Sequence, residues 1–389
     1  MAALRLAALL AAALLIVSCT ATDAVRIARI ASGDPYAAGE MARSKAAHYA
    51  ANPTALPADI KRFESSLKKL VDAVSGVWGR EETRTPEPKQ YVKYTQNYLS
   101  RAQVDFDRGV VTVETLDTKN PHASLRAAIV TTLLTPRDPR AVDLYSAEPV
   151  PLGDTPFLLN EVRDMDGKSI RWGWRAEQFA DALLATRLKT RTVNGPNGPV
   201  TARYVTIDMV PDHLHIRAAK YRPLVEQYAR RFGISPSLVF AVIQVESDFN
   251  PFAINSVPAV GLMQVVPTTA GADTYAFLNG RSGTPDKDKL FVPETNILYG
   301  TAYLHLISTR YLAGIDDPSK LEYCSISAYN GGAGAVLRTF AQDRDRAMRR
   351  INALSVAQVY DKLRSGLPHE ETRRYLLKVV GAKRNYVKF

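Results

Sequence analysis

The stretch that most constrains this chain is "SPSLVFAVIQVESD", residues 235–248. From Leu238 to Val245 nearly every side chain is apolar, so a helix here has no face for water and must lie at the centre of a domain. Ser235 stands at the N-cap position and Pro236 at the first helical one. Glu246 then falls in the last turn, followed by Ser247 and Asp248. Burial and the negative end of the helix both disfavour a carboxylate, and Asp248 would add like charge if it points the same way. All three raise the pKa of Glu246, as a carboxylic acid that donates a proton near neutral pH requires. The alternative is a terminal glutamate that reaches solvent or pairs with an arginine.

The surroundings set the architecture. From His215 onward the pattern is helical, broken by Gly-, Pro- and Asn-rich loops. An amphipathic run ends at Gly233, and the central helix follows. A helix is expected near "LMQVVPTTAG" (262–271), then a long loop to Pro293 and a helix over 294–312. Three further helical stretches begin near Ser319, Gly334 and Glu371. Upstream, Leu67, Leu70, Val71 and Val74 recur at helical spacing ahead of Gly76 and Gly79. Val104, Phe106, Val111 and Val113 alternate about Asp107-Arg108-Gly109, a hairpin signal. "HASLRAAIVTTLLTP" reads as a helix stopped by Pro136, and Tyr204–Val210 as a strand. The expectation is an α+β N-terminal domain over 56–214, followed by a mostly α domain over 215–389.

Residues 1–18 read as a targeting segment, because "LAALLAAALLIV" is too short to span a membrane. Ile16-Val17-Ser18-Cys19 resembles the lipobox of bacterial lipoproteins, which makes Cys19 the expected lipid attachment site. Thr20 resembles the residue that follows the Cys in chains sorted to the outer membrane. An ordinary secretory signal is the alternative, and both mean export. Residues 19–55 then form a tether. Only one other Cys exists, Cys324, so no disulfide framework is expected, and its apolar neighbours make it a buried structural thiol.

Most of the formal net charge of +11 lies beyond residue 215, which suits an acidic polymer or surface. A nucleic-acid partner is disfavoured by the export signal and by the lack of a basic helix with base-reading spacing. The six His show no ligand spacing such as HExxH, so neither a metal nor a cofactor is expected.

Three further fragments carry sugar-binding chemistry. "GLMQVVP" (261–267) places Gln264 among apolar residues. "AYNGGAG" (328–334) ends a helix in an aromatic and an amide before Gly residues that would let backbone approach a ligand. "ETRRYLLKV" offers Tyr375. Taken with "ESDFNPFAINSVPAVGLMQVVPTTAG" and "PETNILYGTAYL", their order and spacing resemble family 1 lytic transglycosylases, whose catalytic domain has a lysozyme-like (goose-type) α fold. "YVKYTQNYLSRAQVDFDRGVVTVET", "LYSAEP" and "VTIDMVPDHL" resemble the N-terminal half of membrane-bound members. Val257-Pro258 departs from the glycine-containing turn that many members carry.

That resemblance implies cleavage of the β-1,4 bond between N-acetylmuramic acid and N-acetylglucosamine in peptidoglycan, with formation of 1,6-anhydromuramoyl ends in place of hydrolysed ones. Glu246 matches the family's single acid, and Asp248 is then a neighbour, not a second catalyst. Ser247, Met263, Gln264, Tyr329, Asn330 and Tyr375 match positions that shape the saccharide cleft. Gln264 and Tyr375 are expected to orient substrate by hydrogen bonds, and Met263 to pack on a sugar face. The rivals are a goose-type-lysozyme-like hydrolase on the same fold and a non-catalytic peptidoglycan-binding lipoprotein.

Overall fold

The computed structural model describes residues 56–255 and 259–389. The expected targeting segment, the tether, Cys19 and the Val257-Pro258 departure lie outside the described residues. Among those described, no helix is long and apolar enough to cross a membrane.

The N-terminal part runs α1 (Leu56–Trp78), β1 (Gln90–Thr95), β2 (Ser100–Asp105), β3 (Val110–Thr115), α2 (Pro121–Leu133), α3 (Gly173–Thr186), β4 (Lys189–Gly195) and β5 (Gly198–Asp208). Its strands form one antiparallel sheet in the order β1-β2-β3-β5-β4. Strand alternation divides their side chains between two cores. Tyr91, Val104, Val111 and Val205 meet Leu125 and Ile129 of α2 and Phe179 of α3. Val92, Tyr94 and Val193 meet Leu70, Val74 and Trp78 of α1 on the other face. The β2–β3 hairpin closes at the expected residues: Asp105 accepts a 2.9 Å bond from the Arg108 amide, and Gly109 takes a left-handed φ of +65°. The expected strand at 204–210 is the end of the longer β5. It pairs with β4 across a tight turn, Gly195 opposite Gly198.

The C-terminal part is helical: α4 (His213–Ala219), α5 (Arg222–Phe232), α6 (Pro236–Ser247), α7 (Ala270–Asn279), α8 (Lys287–Leu290), α9 (Pro293–Leu306), α10 (Pro318–Gly331), α11 (Ala333–Phe340), α12 (Arg344–Ala353), α13 (Val356–Gly366) and α14 (Glu370–Lys383). Helix α6 is the post of this domain, with Val239, Ala241, Val242 and Ile243 wholly buried between α5 and α14. Removing each Val or Ile side chain from water stabilises by about 1.5–3 kcal/mol. Ser235 holds the N-cap position, but its hydroxyl bonds Ser237 instead of a helix amide. Cys324 is buried, and burial pushes its thiol up to about 12.

Four expectations change. The amphipathic run before Gly233 is two helices, α4 and α5, parted at Lys220–Tyr221. Residues 262–266 form a turn, not a helix, because Gly261 and Gln264 adopt left-handed φ of +74° and +48°. The loop expected up to Pro293 contains α7 and α8. The run 334–348 splits where Ala341 becomes extended and Asp343 caps α12 through the Arg346 amide. Helix α13 begins with a capping box of Ser355 and Gln358.

Candidate active site

Glu246 sits in the last turn of α6 with part of its surface open to solvent. Tyr375 of α14 donates its hydroxyl to Glu246 Oε1 at 2.8 Å. The carboxyl is pushed from 4.5 up to about 8. Burial is the main cause, and the Glu371 carboxylate adds to it. The Tyr375 hydrogen bond and the Lys89 ammonium act the other way. At neutral pH the group is therefore a proton donor.

The like charge comes from Glu371, one helical turn before Tyr375, and not from Asp248. Asp248 takes a left-handed φ of +48° after the last turn of α6, and its carboxylate pairs with Lys89 Nζ at 2.7 Å. The αL turn swings it away from Glu246.

Two residues expected to touch sugar lie beneath the surface instead. Ser247 is fully buried and donates to the carbonyls of Leu262 (2.8 Å) and Ile243 (3.1 Å), tying α6 to the 262–266 turn. Met263 is also fully buried, its thioether against Gly300 of α9, where any larger residue would collide with it. Its amide donates to Asn296 Oδ1 at 2.7 Å. The carboxamide of Asn296 in turn donates to the carbonyls of Val260 and Leu290. The expected sugar contact of Met263 gives way to support from below.

Tyr329 and Asn330 are partly exposed, whereas Gln264 is buried. The Tyr329 hydroxyl donates to the Met263 carbonyl at 2.8 Å, and its ring lies 5.7 Å from Tyr303. Asn330 Oδ1 accepts from the Thr372 hydroxyl at 2.8 Å. Gln264 uses its amide nitrogen on the carbonyls of Gly261 (2.9 Å) and Ala253 (3.2 Å), which leaves Oε1 without a hydrogen-bond partner among the described residues. A buried unpaired acceptor is costly unless a ligand supplies the donor. The glycine after Asn330 has a packing reason: a Cβ on Gly331 would stand 2.7 Å from Thr372 Cγ2. It brings α10 and α14 together instead of exposing backbone to a ligand.

Sequence reasoning missed Asn296, Thr372, Glu371 and Lys89. Only Asn296, an amide within the apolar start of α9, carried a local signal. Among the described residues no group of three or more His, Cys, Asp or Glu could hold a metal.

An antiparallel α+β domain leading into a helical domain of lysozyme-like class, with a half-open carboxyl on its central helix, defines the class of protein. The family model described as membrane-bound lytic murein transglycosylase C, N-terminal domain, matches residues 56–220, and the transglycosylase SLT domain model matches residues 223–352. Proteins named membrane-bound lytic murein transglycosylase C from Yersinia pestis (strain Pestoides F) and Yersinia pseudotuberculosis serotype O:1b are 45% identical over 332 residues. These matches cover 85% of this chain and 91% of each relative. The crystal structure of the 70 kDa soluble lytic transglycosylase from Escherichia coli is 28% identical at a TM-score of 0.34. That match covers 43% of this chain and 24% of that longer one. The chain belongs to the membrane-bound lytic murein transglycosylase C family.

Proposed function

We infer that this lytic murein transglycosylase cleaves the β-1,4 bond between N-acetylmuramic acid and N-acetylglucosamine with Glu246 as its one acid/base. The protonated carboxyl donates to the leaving glycosidic oxygen. The carboxylate so formed takes the proton of the muramoyl C6 hydroxyl, whose oxygen closes onto C1. The bond to the leaving sugar breaks, the C6 oxygen–C1 bond forms, and the product ends in a 1,6-anhydro ring. Glycosidases that use water or a covalent intermediate need a second carboxylate. Here the substrate supplies its own nucleophile.

The observation that carries this reading is the Tyr375–Glu246 hydrogen bond on a carboxyl raised to about 8. Tyr375 holds the acid in one orientation while leaving Oε2 for the glycan, and Gln264 Oε1, buried and unpaired, would accept from a sugar hydroxyl or acetamide N–H that reaches it. Tyr329 and Asn330 line the same cleft; Ser247 and Met263 support it from beneath. Glu246→Gln keeps the shape and removes the proton. It should bind purified sacculi as the parent does and release almost no soluble muropeptide; parental release would remove the acid/base role from Glu246.

Membrane association follows from the family, and we propose that Cys19 provides it as a lipid anchor in the outer membrane, facing the murein. Several acyl chains on one Cys hold a protein stably, where one chain is marginal. Cys19→Ser should move the protein from the membrane fraction to the soluble periplasm and abolish incorporation of labelled palmitate.

A further inference from the structure

The acid-bearing end of α6 is built as much by the N-terminal domain as by its own. Lys89, just before β1, reaches the Asp248 carboxylate at 2.7 Å; the carboxylate is almost wholly buried, while the lysine is about one-third exposed. The Lys89 backbone is itself fixed, its carbonyl accepting from the Phe106 amide at 3.1 Å. One residue earlier, the Pro88 carbonyl accepts from Asn250 Nδ2 at 3.0 Å. Phe252 then enters the N-terminal core, its ring 5.1 Å from Tyr91 and 5.2 Å from Phe157, with Ile254 beside it.

Arg217 of α4 completes the joint from behind. Its Nε donates to the Asp248 carbonyl at 2.8 Å, its Nη1 pairs with Glu161 at 2.7 Å, and its Nη2 donates to the Phe106 carbonyl at 3.1 Å. Segment 248–254 thus leaves the catalytic helix and is pinned to the other domain by ion pair, amide and aromatic ring. Only Ser247 stands between the first of these pins, Asp248, and Glu246. A left-handed turn at Asp248 and Phe249 (φ +48° and +61°) closes the helix, its own bonds being Asp248 N–H to the Gln244 carbonyl and Asn250 N–H to the Ser247 carbonyl (3.0 Å each), and the anchors beyond it hold the direction in which the last turn points.

We propose that Lys89 is a positioning residue for the acid: its ion pair with Asp248 fixes the end of α6 and makes the N-terminal domain a working part of the catalytic centre. The proposal rests on Glu246 being the acid. The charged and titratable groups around the joint are Lys89, Arg217, Asp107 and Tyr386 about Asp248, and Lys89, Glu371, Tyr329 and Tyr375 about Glu246. Of these, Lys89 is the one cation that acts on both carboxyls, holding each below where burial alone would put it.

The test uses the full chain on purified sacculi, with Lys89→Met, Lys89→Arg, the double variant Lys89→Met/Asp248→Asn, and Glu246→Gln as reference. The double variant removes both charges, so it leaves no uncompensated buried carboxylate and should fold as the parent does. Both Met-containing variants should lose between about tenfold and a hundredfold in kcat with little change in KM, the effect of a displaced acid. The alkaline limb of their kcat/KM profile should move to higher pH, because a cation near the acid is gone. Lys89→Arg should restore both. Parental kcat and an unmoved limb in the folded double variant would overturn the proposal, as would a folded Lys89→Arg no more active than Lys89→Met. An active Glu246→Gln would instead overturn the acid assignment, whatever Lys89 does.

Discussion

Replacing Glu246 by Gln should stabilise the folded protein, by an amount that depends on pH in a defined direction. The Gln side chain has the same shape and can still accept the Tyr375 hydroxyl, but it cannot ionise. In the folded parent the carboxyl titrates near 8 instead of 4.5. Below 4.5 both the folded and unfolded parent carry a neutral group, so the two proteins should be equally stable. Between 4.5 and 8 the unfolded chain ionises while the folded site does not. Each unit of pH then lowers the parent's stability by about 1.4 kcal/mol relative to the variant. Above 8 both states are charged and the gap stops growing. The full interval would give ~5 kcal/mol, and the partial opening of Glu246 to water brings the expected plateau to about 2–4 kcal/mol. Urea unfolding followed from about pH 4 to about pH 9 reads this directly as a growing difference in midpoint at constant slope. A gap independent of pH, or a variant less stable than the parent at the alkaline end, would refute the buried neutral acid.

Three other outcomes follow from the same geometry. Tyr375→Phe removes the hydroxyl that holds the Glu246 pKa down; the alkaline limb of kcat/KM should move upward and kcat should fall by about tenfold or more, whereas an unmoved limb would mean that the bond does not persist in solution. Gly261→Ala forces a left-handed residue (φ +74°) against the Asn296 carboxamide; it should cost about 2–4 kcal/mol in urea unfolding and, by shifting the 262–266 turn, lower activity as well. Arg217→Met leaves Glu161 buried with only Lys220 beside it; a loss of about 3–5 kcal/mol is expected, and a loss below about 1 kcal/mol would show that the pair is not desolvated as drawn.

The central helix and its acid were legible because a run from Leu238 to Val245 has only one way to be buried, and the element ending it must then face whatever the domain encloses. The β2–β3 hairpin was legible for a similarly local reason, the alternation about Asp107-Arg108-Gly109. What local pattern could not show was depth. Met263 and Gln264 are adjacent, yet the first is sealed against Gly300 and the second, itself left-handed, turns its amide nitrogen back onto the Gly261 and Ala253 carbonyls and leaves its oxygen buried and unpaired. Ser247 followed the acid in sequence and was expected to share its cleft, but a helix turns 100° per residue, which sent its hydroxyl to the Leu262 carbonyl. The break at Ala341 escaped periodicity because the apolar spacing continues across it, and the Ser355–Gln358 capping box was readable but unread. Lys89 had no local signal at all. Its partner lies 159 positions away in the other domain, and only the fold brings them together.

The most direct test of the account is the mass of the muropeptide ends released from purified sacculi by the full chain. If Glu246 regains its proton from the C6 hydroxyl, the muramoyl ends are 1,6-anhydro and one water lighter than hydrolysed ends. Reducing ends throughout would mean that water is the nucleophile, and the single-carboxyl mechanism would fail.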